Sequence, residues 1–136
     1  MPLVLSFVLL AAPLDPSVLT VPFVEATSTP QEIWTRDKVK AYALEQATKY
    51  GLHKQRFLAV IQCENKFDAT GQSQHYYKGV REKSFGAVQI HLPSHPGITR
   101  EMAEDPEFAI PWMAKKWLQG DANLWSCYTD LYGQSM

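Results

Sequence analysis

Glu64 is the residue of this sequence whose position best suits it to acid–base chemistry. It follows Phe57, Val60 and Ile61 at helical spacing, so on a helix these side chains share one face. A carboxyl group on an apolar face is partly removed from water, which raises its pKa. A carboxyl that keeps its proton near neutral pH can act as a general acid. The alternative is an acid at the end of a helix that points to solvent.

Two further acids and two histidines have residue types that could take part in related chemistry. Asp68 and Glu82 could supply a second carboxylate, but neither lies in an apolar pattern, and we expect both to be solvated surface acids. His91 and His95 have the spacing of a helical metal pair. Pro93 interrupts that helix and no third ligand accompanies the pair, so we expect no metal site and no cofactor.

Aromatic side chains offer surfaces on which sugar rings could stack. Tyr76 and Tyr77 lie in a loop-like stretch and are the predicted sugar contacts. Tryptophans at helical spacing usually belong to a core. We therefore expect Trp112 and Trp117 to be core residues, although they and Trp125 could also stack on sugars.

The amino-terminal quarter has the composition of an export signal and a linker. Residues 3–12 form an apolar run that is too short to span a bilayer but suits a signal peptide. We predict a signal peptide over 1–26 and a proline-rich linker over 27–36. No Lys or Arg precedes the run, so a buried strand or helix, or an artificial start of a truncated product, remain alternatives. An exported chain could join Cys63 to Cys127 in a disulfide, and two buried thiols are the alternative.

The composition describes one soluble globular domain. The chain has 136 residues, of which 46% are hydrophobic and 20% charged, with a formal net charge of −1. A duplex nucleic-acid binder usually carries a basic excess, so no nucleic-acid partner is expected. No apolar run reaches the roughly 18 residues of a membrane span.

The patterning predicts a mainly α domain with a small β-hairpin, an α+β fold. Apolar periodicity and capping residues predict five helices and a hairpin-containing loop region between the second and third of them. The predicted helices cover 37–50, 54–66, 99–103, 105–120 and 122–131, and the loop region covers 69–90.

Four segments, in order, resemble those of the lysozyme-like superfamily, and in particular its soluble lytic transglycosylase domains. Residues 62–67 (Gln-Cys-Glu-Asn-Lys-Phe) are similar to the catalytic segment of that family, and 84–90 (Ser-Phe-Gly-Ala-Val-Gln-Ile) to its Gly-Leu-Met-Gln-Ile segment. Residues 105–110 resemble its Asp-Pro-Glu helix start, and 125–128 take the place of its Ala-Tyr-Asn segment. The resemblance covers about 37–132, and we place the domain at 37–136.

The resemblance implies an enzyme that cleaves the β-1,4 bond between N-acetylmuramic acid and N-acetylglucosamine in peptidoglycan. Glu64 matches the catalytic acid of the family, Gln89 its cleft glutamine and Tyr128 its active-site tyrosine, with Ser84 as a further cleft position. The expected protein is exported to the periplasm or cell exterior, is monomeric, and has peptidoglycan glycan strands as its partner.

The sequence also departs from the family pattern. Asn65 stands where a Ser often follows the catalytic Glu, and Thr129 where an Asn follows the tyrosine. The stretch between Glu64 and Gln89 is several residues longer than is usual in the family. A lytic transglycosylase needs a single Glu, which favours it over a lysozyme-type hydrolase of the same bond. A non-catalytic glycan-binding wall module is the remaining alternative.

Overall fold

The computed structural model describes residues 32–133. The predicted signal peptide and residues 27–31 of the predicted linker lie outside the described residues. A compact unit begins at Trp34, whose ring contacts that of Tyr42 with 5.4 Å between centroids. Among residues 32–133, no helix is long and apolar enough to cross a bilayer.

The described chain is mainly helical and carries two short antiparallel hairpins, which confirms the predicted α+β class. The helices are α1 (Arg36–Lys49), α2 (Lys54–Asn65), α3 (Arg100–Ala103), α4 (Pro106–Leu118) and α5 (Ser126–Tyr132). The strands are β1 (Tyr76–Tyr77) paired with β2 (Val80–Arg81), and β3 (Ser84–Phe85) paired with β4 (Ile90–His91). Single 3₁₀ turns cover Leu92–Ser94 and Ala122–Leu124.

Helix starts follow local capping chemistry. The Thr35 hydroxyl accepts from the Lys38 amide at the start of α1, and the Asp105 carboxylate accepts from the Glu107 amide at the start of α4. Both contacts satisfy amides that have no acceptor within the first turn. Helix α4 continues through Pro111, although proline cannot donate a hydrogen bond to the preceding turn.

The core lies where α1, α2 and α4 meet. Helix α1 packs against both α2 and α4, and α2 also packs against α5. Residues from all three central helices are fully buried, including Val39, Phe57, Ile61, Ile110 and Met113. Because the apolar stripe of α2 ends at Ile61, one turn before the helix ends, the next position on the same face is Glu64.

The tip of the second hairpin is inserted into this core. Ala87 and Val88, between β3 and β4, are fully buried. Gly86 allows this packing: it has a φ of +87°, and a Cβ atom there would lie 1.9 Å from the Ala103 carbonyl oxygen. The hairpin tip therefore belongs to the core and brings Gln89 with it.

Two predictions about elements were incomplete. The loop region over 69–90 holds two hairpins rather than one, because Lys78 and Gly79 both adopt positive φ and close a tight turn. The helix predicted over 122–131 is broken at Trp125, whose backbone is extended. Its indole N–H donates to the Val88 carbonyl at 2.7 Å, so this contact with the hairpin tip accompanies the break.

Candidate active site

Glu64 lies in the last turn of α2, half-buried in the lining of an open cleft. The cleft has a volume of about 960 Å³ and is called the main cleft below. Its lining includes Glu64, Asp68, Glu82, Ser84, Gln89, Trp125, Cys127 and Asp130. The sequence placed Glu64 on the apolar stripe of α2, and the structure places it at the solvent edge of that stripe rather than turned away to open water.

The surroundings of Glu64 bring the pKa of its carboxyl close to neutral pH. Burial raises its pKa from 4.5 to about 7. The hydrogen bond from the Cys127 amide to Glu64 Oε1, 3.3 Å long, acts in the opposite direction, because it favours the charged form. The negative charges of Glu82 and Asp130 add to the rise. A group with this pKa can both give and take a proton near pH 7.

The break at Trp125 explains why the Cys127 amide can reach Glu64. Cys127 is the second residue of α5, and amides in the first turn of a helix have no acceptor within the helix. A disulfide joins Cys127 to Cys63, the residue before Glu64, with 6.0 Å between the two Cα atoms. Cys127 of α5 therefore donates a hydrogen bond to the Glu64 carboxyl and is covalently linked to the residue before it.

The chain reverses sharply directly after Glu64. Lys66 and Phe67 both have left-handed backbones, with φ of 53° and 61°, which is costly for residues other than glycine. The Asn65 side-chain amide donates to the carbonyls of Asp68, Thr70 and Gly86, at 3.0 to 3.2 Å. Asn65 therefore secures the reversal and ties it to the second hairpin.

Glu82 is the cleft residue whose importance the sequence did not reveal. We expected a solvated surface acid, and this was wrong: Glu82 is half-buried and lines the main cleft. Its Oε1 accepts from the Ser84 hydroxyl at 2.7 Å and its Oε2 from the Ser73 hydroxyl at 3.1 Å. Ser84 follows Glu82 by two residues, but Ser73 reaches it through the fold, so spacing alone could not show the cluster.

Two of the predicted cleft residues lie in the main cleft, where their polar groups are engaged. Ser84 is only 2% exposed, and its hydroxyl donates a hydrogen bond to Glu82. Gln89 has a left-handed backbone, and its side-chain amide donates to the carbonyls of Gly71 and Gly86. Its amide nitrogen is therefore fixed by the protein, and its carbonyl oxygen is the group left to contact a ligand.

The predicted tyrosines are not brought to the main cleft. Tyr128 is buried, with its ring against those of Trp117 and Tyr132, and it does not line the main cleft. Tyr76 and Tyr77 are 65% and 72% exposed on the first hairpin, outside the main cleft.

Two smaller cavities adjoin the main cleft. The first, called the hairpin cavity, has a volume of about 440 Å³ and is lined by Tyr77, Val80, Arg81, Glu82, Lys83, His91 and Pro93. The second, of about 290 Å³, contains Trp112, which lies beside His95 and Trp125. Trp112 and Trp117, both predicted as core residues, are half-buried and pack against the core, with Trp117 edge-on to Phe57. Both cavities share Glu82 and His91 with the main cleft.

The histidine pair does not lie on a helix. His91 Nδ1 is 2.7 Å from the Ser94 hydroxyl, and the His95 ring lies against Trp112. Within residues 32–133, no three acidic, cysteine or histidine side chains cluster in a way that could hold a metal ion.

Comparisons of the chain with protein-family models, with curated proteins and with solved structures found no match. The fold and the site therefore rest on the geometry described above.

Proposed function

We propose that the protein is a peptidoglycan lytic transglycosylase with a lysozyme-like fold, and that Glu64 is its catalytic acid and base. The observation that carries the proposal is the half-buried Glu64 carboxyl, with a pKa raised to about 7, in the lining of the main cleft. A binding site gains little from a desolvated acid, whereas proton transfer needs one. The resemblance of residues 62–67 and 84–90 to the transglycosylase segments supports the same reaction.

The proposed reaction uses one carboxyl twice. The Glu64 acid gives its proton to the glycosidic oxygen as the bond from that oxygen to C1 of muramic acid breaks. The Glu64 carboxylate then takes the proton of the 6-hydroxyl of the same sugar as O6 bonds to C1. The product is a 1,6-anhydromuramic end, no water is consumed, and Glu64 is again protonated.

The proposal extends to where the protein acts. Peptidoglycan lies outside the cytoplasmic membrane, so we propose an exported protein that acts as a monomer on glycan strands. The disulfide between Cys63 and Cys127 supports an oxidising compartment.

A lysozyme-type hydrolase is the second candidate, and Glu82 is the observation that favours it. Glycoside hydrolysis usually employs two carboxylates, and Glu82 lines the same cleft as Glu64. Each oxygen of Glu82 already accepts a hydrogen bond from a serine, which occupies the lone pairs that a nucleophile would use. We therefore place transglycosylation first.

The test is the digestion of purified peptidoglycan by wild type and by Glu64→Gln, with mass analysis of the released ends. We expect anhydro ends, lighter by one water than hydrated ends, and a loss of about 10²- to 10⁴-fold in rate in the variant. Glu101→Gln, an exposed acid on α3, serves as the control and should keep the wild-type rate.

Each alternative has its own outcome in the same assay. Hydrated reducing ends alone would contradict the transglycosylase, and a loss of turnover in Glu82→Gln would then point to the hydrolase. Strand binding by wild type without release of any product would identify a binding module.

A further inference from the structure

The hairpin cavity shares Glu82 and His91 with the main cleft but differs from it in charge. The main cleft carries the carboxyl groups of Glu64, Asp68, Glu82 and Asp130 against the cations of Arg36 and Lys66. The hairpin cavity carries Arg81 and Lys83 against the single carboxylate of Glu82. A ligand that spans both would therefore place its neutral part in the main cleft and an anionic part in the hairpin cavity.

The cations of the hairpin cavity are available to a ligand. The Arg81 guanidinium donates to the carbonyls of Ser73 and Gln72, at 2.7 and 3.2 Å, which fixes its position and leaves its charge unbalanced. In the described part of the chain, neither Arg81 nor Lys83 forms an ion pair with a carboxylate. The two serine hydroxyls hold the Glu82 carboxylate, the one anion in the lining.

The remaining wall of the cavity is apolar and exposed. Tyr77 and Val80 are 72% and 63% exposed, and Pro93 lies in the same lining. Tyr77 and Val80 face each other across the first hairpin, on either side of the tight turn at Lys78 and Gly79. Exposed aromatic and aliphatic side chains beside unpaired cations fit a ligand that has both methyl groups and carboxylates.

We propose that the hairpin cavity binds the short carboxylate-bearing peptide attached to the muramic acid whose bond lies at Glu64. This inference rests on the proposed function and adds a specificity to it: strands that carry peptides are preferred over bare strands. The cations pair with the carboxylates of the peptide, and Tyr77, Val80 and Pro93 contact its alkyl groups.

The experiment compares peptide-bearing glycan strands with the same strands after an amidase has removed their peptides. We expect wild type to have a kcat/KM about fivefold higher on the peptide-bearing strands, the size of one to two exposed ion pairs. Lys83→Glu and Tyr77→Ala should each bring the ratio of the two rates close to one. High salt should lower the wild-type ratio, because the pairing is exposed to solvent.

Lys54→Glu is the control, because Lys54 is an exposed lysine at the start of α2 that lines none of the three cavities. It should keep the wild-type ratio. A wild-type ratio of one, or an unchanged ratio in Lys83→Glu, would overturn the inference while leaving the transglycosylase intact.

A binding measurement separates this inference from the reaction itself. Calorimetric titration with a soluble muramic-acid disaccharide, with and without its peptide, requires no cleavage. Tighter binding of the peptide-bearing disaccharide that is lost in Lys83→Glu supports the inference, and equal binding of the two overturns it. If wild type cleaves neither strand, the proposed function fails, and the titration still decides the inference.

Discussion

At the scale of single residues, the site depends on the environment of Glu64. Its aliphatic part continues the buried stripe of α2, and its carboxyl opens onto the main cleft. Spacing predicted that Glu64 shares the apolar face, because that depends on the period of one helix, but it left open whether the carboxyl points to solvent. The role of Glu82 could not be predicted, because the Ser73 hydroxyl that holds it comes from a loop that only the fold brings near.

The activity should depend on pH through the Glu64 carboxyl. The proposed reaction begins with the protonated form, and burial raises the pKa of Glu64 to about 7. We expect kcat/KM to fall by about tenfold for each pH unit above this value. A pH–rate profile on soluble glycan strands measures it. A profile that stays level up to pH 9 would contradict Glu64 as the acid.

The burial of Glu64 also lowers the free energy of unfolding at high pH, because the folded protein disfavours the charged carboxylate. Below pH 4.5 the carboxyl is protonated in the folded and the unfolded chain alike. Between pH 4.5 and about 7 the unfolded chain loses the proton and the folded chain keeps it, so stability falls as the pH rises. Above pH 7 this loss of stability is complete and is on the order of 3 kcal/mol.

Glu64→Gln should therefore be more stable than wild type at pH 8 by up to about 3 kcal/mol, and about equally stable at pH 4. The glutamine keeps the shape of the side chain and an oxygen that can accept from the Cys127 amide. Denaturant unfolding at the two pH values, with the disulfide intact, measures the difference. A variant that is less stable than wild type at pH 8 would show that the carboxylate is not desolvated.

At the scale of elements, the second hairpin and the end of α2 assemble the site together. The Asn65 amide connects them by donating to the Gly86 carbonyl. Capping residues and periodicity predicted the central helices, because those signals are local. Local signals could not predict the break at Trp125, because its indole contacts Val88, a residue far away in the sequence.

Gly86→Ala should destabilise the protein by about 3 kcal/mol or more, because a Cβ atom would collide with the Ala103 backbone and the φ is positive. Gly51→Ala is the matched control: Gly51 also has a positive φ, of 67°, but nothing lies within 4 Å of a Cβ atom there. It should cost about 1 kcal/mol. Chemical denaturation compares the two, and equal losses would contradict the close approach of the hairpin to α3.

At the scale of the whole molecule, the disulfide closes the chain around the site. Cys63 and Cys127 are 64 residues apart, and both hairpins and helices α3 and α4 lie between them. Constraining a loop of this length in the unfolded chain is worth about 4 kcal/mol in the loop-entropy account. The crosslink also holds the Cys127 amide beside Glu64.

The double substitution Cys63→Ser and Cys127→Ser should lower the free energy of unfolding by about 4 kcal/mol. Cys63 is exposed, so a thiol reductant should reach the wild-type bond and produce a similar loss. Unfolding curves with and without reductant measure both effects. The double variant is its own control, since reductant should not change its midpoint; an unchanged wild-type midpoint would contradict the crosslink.

The insertion of Ala87 and Val88 into the interior has a consequence for engineering the groove. The next residue, Gln89, lines the main cleft, so the wall of the cleft is directly attached to two core residues. Substitutions that reshape that wall will disturb the packing behind it. The exposed tip of the first hairpin, residues 76–80, makes no such packing contact and is the segment where substitutions should disturb the core least.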